Sequence, residues 1–95
     1  MIKKQKVKSG TVKVTFSVQD DGEPVSVVGE FNGWDPLVHP LKKRTNGTRS
    51  VSIELAPGER YQFRYLSTGG RFFNDDSADS FASNDRGEEH CIVIV

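Results

Sequence analysis

An all-β sandwich of about seven short antiparallel strands is the fold class this sequence predicts, and three observations carry it. Apolar residues recur with a period of two in several short stretches. Turn signals built from Gly, Pro, Asn and Asp separate those stretches every 8 to 12 residues or so. No stretch keeps a helical period. Together they describe an immunoglobulin-like arrangement in a single domain of 95 residues.

Residues 1–10 read as a flexible, basic, frayed lead-in, and the sandwich itself as residues 11–95. Val12, Val14, Phe16 and Val18 alternate with Lys13, Thr15 and Ser17, which marks a first strand with one face in water. Asp20-Asp-Gly-Glu-Pro24 turns the chain, and a second strand runs from Val25 to Phe31. Residues 37–44 begin irregularly around Pro36 and Pro40 and then read as a short strand through Leu41. Thr45-Asn-Gly-Thr48 holds the Asn-Gly pair of a tight hairpin. A fourth strand carries Val51, Ile53 and Leu55. After Ala56-Pro-Gly58, an aromatic fifth strand from Arg60 to Leu66 sets Tyr61, Phe63 and Tyr65 against Gln62, Arg64 and Leu66 on the opposite face. Thr68-Gly-Gly70 leads to a short strand from Arg71 to Asn74. A long polar loop is expected from Asp75 to Gly87, and His90 to Val95 closes the sheet.

The bulk numbers exclude several function classes. The hydrophobic fraction of 35% is lean but patterned, which argues for a folded chain. Formal charge is zero, so no global field draws the chain to nucleic acid or to a membrane. Five lysines without an acid in residues 1–16, and six acids against Arg86 in residues 75–89, read as a solvated tail and a solvated loop. The single cysteine, Cys91, allows no internal disulfide and suits a reducing compartment. With neither an apolar run of about 20 residues nor a signal peptide, a cytoplasmic location is expected. The Met start and the missing linker are read as a stand-alone chain.

No catalytic constellation is recognisable, so the chain is not expected to be an enzyme. The serines lie in turns without a histidine at a useful spacing, and His39, His90 and Cys91 lack zinc-ligand spacing. Glu88 and Glu89 point to opposite strand faces and cannot flank one glycosidic bond. Asp75, Asp76 and Asp79 lack the pattern of a calcium loop. Neither a cofactor nor a metal is expected.

Binding is the better prospect. The densest local grammar is Val25-Ser-Val-Val-Gly-Glu-Phe-Asn-Gly-Trp-Asp-Pro36. Gly29 permits a close backbone approach or a bulge, Asn32-Gly33 signals a turn whose residues both tolerate positive φ, and Trp34 follows at once. A large ring on a short stiff turn suits a platform better than a core. Phe72 or Phe73 follows a second turn. Such rings stack on the C–H faces of sugars, on bases or on a protein partner.

Val27-Val-Gly-Glu-Phe-Asn-Gly-Trp-Asp-Pro36, Pro40-Leu-Lys-Lys43, Pro57-Gly58-Glu59 before Tyr61-Gln-Phe-Arg-Tyr65, and Gly70-Arg-Phe-Phe-Asn-Asp75 occur in that order. Together they resemble the glycogen-binding module family, over roughly Gly10 to Val95. This is the early-set immunoglobulin-like domain at the N-terminus of isoamylases and glycogen branching enzymes, and in the β subunit of AMP-activated protein kinase. The resemblance implies binding of α-1,4-linked glucan or maltooligosaccharide, and a glycogen-metabolism enzyme or regulatory subunit as partner. It assigns ring stacking to Trp34 and Phe72 and hydroxyl recognition to Arg64. His90 stands where glucan-binding members carry asparagine, and Asn32 completes the candidate set. Beside that departure at His90 stand two more: the second platform is phenylalanine, and Phe81 is the only large apolar residue in the loop from Ser77 to Gly87. The rival expectation is a protein-interaction module that kept the fold and lost the sugar. An enzyme fragment and nucleic-acid binding through the early lysines rank below both.

Overall fold

The structure, a computed structural model, describes residues 1–83 and 86–95. Its described residues form strands β1 (Ile2–Lys6), β2 (Val12–Gln19), β3 (Val25–Gly29), β4 (Lys42–Lys43), β5 (Thr48–Leu55), β6 (Arg60–Ser67), β7 (Phe72–Phe73), β8 (Ser80–Ser83) and β9 (Glu89–Ile94). A 3-10 turn, Glu30–Asn32, follows β3. One sheet has the order β1-β2-β5-β4; the other has β3-β6-β9-β8, with β7 paired to β6. All pairings are antiparallel, and the two sheets make an immunoglobulin-like sandwich. No helix of the described residues is long and apolar enough to cross a membrane.

The core follows from the alternation. Val12, Val14 and Phe16 of β2 face inward, and their partners Leu55, Ile53 and Val51 on β5 lie on the same side. From the other sheet, β6 sends Phe63 and Tyr65, and β9 sends Cys91 and Val93, into the same interior. Phe63 meets Phe16 edge-on at 5.0 Å between ring centroids, which locks the sheets face to face. Each fully buried ring of this kind contributes about 1.5–3 kcal/mol.

Several expectations change. The frayed lead-in is largely strand β1, paired with β2 from Ile2↔Phe16 to Lys6↔Val12. Ile2 packs against the core, and Lys4 Nζ reaches across to Asp79 Oδ2 at 2.6 Å. Lysines mask the strand pattern here because an edge strand is protected by charge. The expected long loop from Asp75 contains β8, which pairs with β9 through Phe81↔Cys91. The acid run keeps Asp75 and Asp79 in structural bonds, while Asp85 and Asn84 lie outside the described residues. The strand expected through Leu41 is instead Lys42–Lys43, and Leu41 is buried with its N–H donated to Val25 O. The second strand stops at Gly29 rather than Phe31, for a reason that belongs to the site.

Candidate functional site

Strand alternation builds the outer face of the β3-β6-β9 sheet. With Phe63 and Tyr65 turned inward, Gln62, Arg64 and Leu66 point out; with Cys91 and Val93 inward, His90 and Ile92 point out. Val28 pairs with Arg64, and His90 comes one step beyond the paired Phe63↔Cys91. One row therefore runs Val28, Arg64, His90 across three strands. The Trp34 ring lies against His90, 5.2 Å between centroids and tilted by 55°. Since β3 and β9 flank β6 on opposite sides, an indole rooted after β3 meets His90 by reaching across β6. Trp34 is half-buried.

The loop that carries Trp34 is organised by Asn32. Its Oδ1 accepts the backbone N–H groups of Gly29 at 3.0 Å and Trp34 at 3.1 Å. Its Nδ2 donates to Val27 O at 3.0 Å and lies 2.9 Å from His39 Nδ1. An amide has two acceptor and two donor positions, and all four are used. Asn32, expected among the binding residues, thus spends its hydrogen-bonding capacity inside the turn. The same bonds draw the backbone out of the strand at Gly29, a local side-chain competition that ends β3 early.

The left-handed step also falls one residue later than the sequence suggested. Gly33 has φ 65° and Trp34 has φ 62°, whereas Asn32 lies within the 3-10 turn. An L-residue there costs about 1–2 kcal/mol. The Trp34 N–H, which donates to Gly29 O at 3.0 Å as well as to Asn32, offsets part of that cost. Gly29 has no left-handed strain, but a Cβ there would sit 2.5 Å from Gln62 O and 2.9 Å from Phe63 Cβ. Of the close approach or bulge expected at this glycine, the close approach is present.

Arg64 is the other half of the face. Its guanidinium stands 5.3 Å from the centre of the Phe72 ring. Its Nε donates to Asn74 Oδ1 at 2.9 Å, and Glu88 Oε2 is 3.8 Å from its Nη1. Phe72 is half-exposed, while Phe73 turns inward onto Tyr65 at 5.3 Å. The structure thus brings Trp34, His90, Arg64 and Phe72 onto one face. Sequence reasoning missed Asn74, which also donates to Glu89 O at 2.9 Å and so ties β7 to β9 beneath Arg64. Its signal was available: the pairing Leu66↔Phe72 puts Asn74 across the hairpin from Arg64. His39, which the sequence marks only by its place before Pro40 and by the lack of zinc-ligand spacing, packs in the turn against Phe31 and Asn32.

The perturbed protonation states each have a local cause. Burial holds His39 below the usual imidazole value, and burial pushes the Cys91 thiol up. Burial alone would raise Asp75. Bonds from the N-terminal ammonium, Ser77 and Tyr65 outweigh it and hold the carboxyl below its ordinary value. Burial and Asp75 in turn push Tyr65 far up, so its hydroxyl stays a donor. In His90, Nδ1 is buried with no hydrogen-bond partner among the described residues, so only Nε2 remains to engage a ligand.

Comparison with known proteins adds the family. A family model described as carbohydrate-binding module 48 (isoamylase N-terminal domain) matches residues 5–82. The chain is 39% identical over 64 residues to the 1,4-alpha-glucan branching enzyme GlgB of Deinococcus radiodurans, covering 65% of this chain and 9% of that enzyme. It is 33% identical over 86 residues to the enzyme of the same name from Thermosynechococcus vestitus, covering 88% and 11%. The 1,4-alpha-glucan branching enzyme GlgB 2 of Rhizobium johnstonii is 46% identical over 64 residues, covering 64% and 9%. The chain spans about a tenth of the length of the curated relatives it matches.

Proposed function

Because this chain belongs to the carbohydrate-binding module 48 family, we propose that it binds α-1,4-linked glucan on the outer face of the β3-β6-β9 sheet, without catalysis of its own. The observation that carries this reading is the alignment of Trp34, His90, Arg64 and Phe72 on that single face. The Trp34 indole is the main stacking surface and the Phe72 ring the second. Arg64, steered by Asn74, offers its terminal N–H groups to sugar hydroxyls, and His90 offers Nε2. Two aromatic stacks at roughly 0.5–1.5 kcal/mol each beyond their buried area, with a few hydrogen bonds, support micromolar to millimolar affinity. Many repeats along a polymer make that sufficient for docking. In the cytoplasm such a module would hold a glycogen-metabolism enzyme or regulatory subunit on its polymer.

Titrating maltoheptaose against the 15N-labelled protein tests the reading. The Trp34 indole and Arg64 side-chain signals should move together and saturate in the millimolar range or below. Unmoved signals at several millimolar would overturn it. A second reading, docking of a protein on the same fold, is favoured by the neighbouring end of that face, around Ser26 and Leu66. Leu37 is 87% exposed beside an apolar groove of about 470 Å³ that also includes Pro36, Pro40, Leu41 and Leu66. Leu37→Asp should leave maltoheptaose binding intact and remove only that kind of partner.

A further inference from the structure

We infer that His39, acting through Asn32, is the positioning residue that holds Trp34 in its binding posture, and that protonation of His39 releases the indole. The consequence for sugar rests on reading the Trp34 face as a glucan site; the lock itself does not.

The amide of Asn32 can face only one way. Its Oδ1 is the acceptor for two backbone N–H groups, those of Gly29 and Trp34, and its Nδ2 is the donor to Val27 O. Flipping it would lose all three bonds. Nδ2 therefore donates to His39 Nδ1 at 2.9 Å, and that nitrogen must carry a lone pair, with the imidazole proton on Nε2. An imidazolium carries N–H on both nitrogens. Protonation would set two donors against each other at that distance, and either the ring or the amide has to move. The amide is the group that accepts the Trp34 N–H in a left-handed turn, at φ 62°. A turn already strained has little reserve when its organiser is disturbed.

Among the described residues, the surroundings leave His39 no compensating charge. The 3-10 turn contributes the Phe31 ring, edge-on at 6.0 Å, and the Asn32 amide. Glu30 of that turn is engaged by Gln62 N–H at 2.6 Å, and Asp35 on the loop of His39 caps Leu37 N–H at 2.9 Å. From β3 comes the Val27 N–H, which donates to His39 O at 3.1 Å. Tyr61 of β6 meets Phe31 rather than His39, at 6.0 Å. Among the described residues no ion pair includes His39. Burial lowers its proton affinity below the ordinary value of 6.5, so the lock is intact near neutrality. The unfolded chain takes up the proton first, and the lock is lost as pH falls through the folded-state midpoint.

The test follows three signals in the full chain from pH 8 to 4.5: the imidazole nitrogens of His39 and His90 by 15N NMR, the Trp34 indole N–H without ligand, and the dissociation constant of maltoheptaose. The indole should shift with the His39 midpoint, with Nε2–H the neutral tautomer of His39. The dissociation constant should rise at least about tenfold across the same interval. His39→Gln supplies a carbonyl acceptor that does not titrate. It should keep the pH 7.5 affinity within about threefold across the His39 interval, with an indole signal that no longer moves at the His39 midpoint and keeps only what the His90 ring against it imposes. An indole that ignores His39 titration in the unsubstituted protein overturns the inference, whether or not the variant folds. The same acid loss persisting in His39→Gln also overturns it, and assigns the effect to His90. If maltoheptaose binds at no pH, the glucan reading fails while the ligand-free indole titration still decides the lock.

Discussion

Replacing Trp34 by glycine and by alanine separates what its ring does from what its backbone does. Both variants remove the indole, and with it the contact to His90 at 5.2 Å and the larger stacking surface of the face. Loss of one stack with its buried area should cost about 1.4 kcal/mol or more of glucan affinity, at least tenfold in the dissociation constant. The backbone adds a second, opposite effect. At φ 62° alanine bears the left-handed penalty that tryptophan bore, whereas glycine does not. Trp34→Gly should therefore unfold at higher denaturant than Trp34→Ala, by about 1 kcal/mol. The half-buried ring limits the fall of either variant below the parent to about 1–3 kcal/mol. Urea unfolding of the three proteins, with retention on glycogen resin measured beside it, is the assay. Alanine as stable as glycine would refute the strained turn. A loss above about 4 kcal/mol in both would make the indole a core residue and refute the platform.

Arg64→Ala should weaken maltoheptaose binding by about 1 kcal/mol, the scale of one hydrogen bond, and unchanged binding would remove the guanidinium from the site. Gly29→Ala should destabilise by about 1–3 kcal/mol through the clash with Gln62 O, read as a lower urea midpoint with an unchanged slope. Asp75→Asn should cost about 1.5–3 kcal/mol at pH 7, because Tyr65 and Ser77 lose a charged partner. The Asp75 carboxyl is depressed in the folded state, so its contribution is present above the ordinary carboxylate range and lost as pH falls through the folded value. The gap between parent and variant should accordingly narrow as pH falls below the ordinary carboxylate range; a gap that stays constant through acid unfolding would contradict the assignment.

The strands with one face in the core were legible because period two is written in their residues: Val12, Val14 and Phe16, or Tyr61, Phe63 and Tyr65, need no structural input. Strand β1 was not, because its lysines serve the edge rather than the core, and Lys4 finds Asp79 only after the sheets have met. Strand β8 was hidden for a related reason, since Phe81 at the sheet edge stays 41% exposed and gives no clear alternation. In the site, the outward face of Arg64 followed from strand geometry and Trp34 from the turn before it, while Phe72 was singled out from Phe73 by the family resemblance. The work of Asn32 did not. An Asn before Gly announces a turn, but which backbone groups its amide collects depends on where β3 ends and on His39 seven residues later. Positive φ at Trp34 was equally hidden, because a bulky residue adopts it only when the bonds around it compel it.

The central claim is that one outer face, and no other, receives the sugar. Intermolecular nuclear Overhauser effects between maltoheptaose and the protein test it most directly. Contacts from the glucose ring protons to both the Trp34 indole and the Phe72 ring are predicted, at one end and the other of a single bound chain. Contacts confined to the opposite sheet, at Lys3, Thr15 or Ser52, would contradict it.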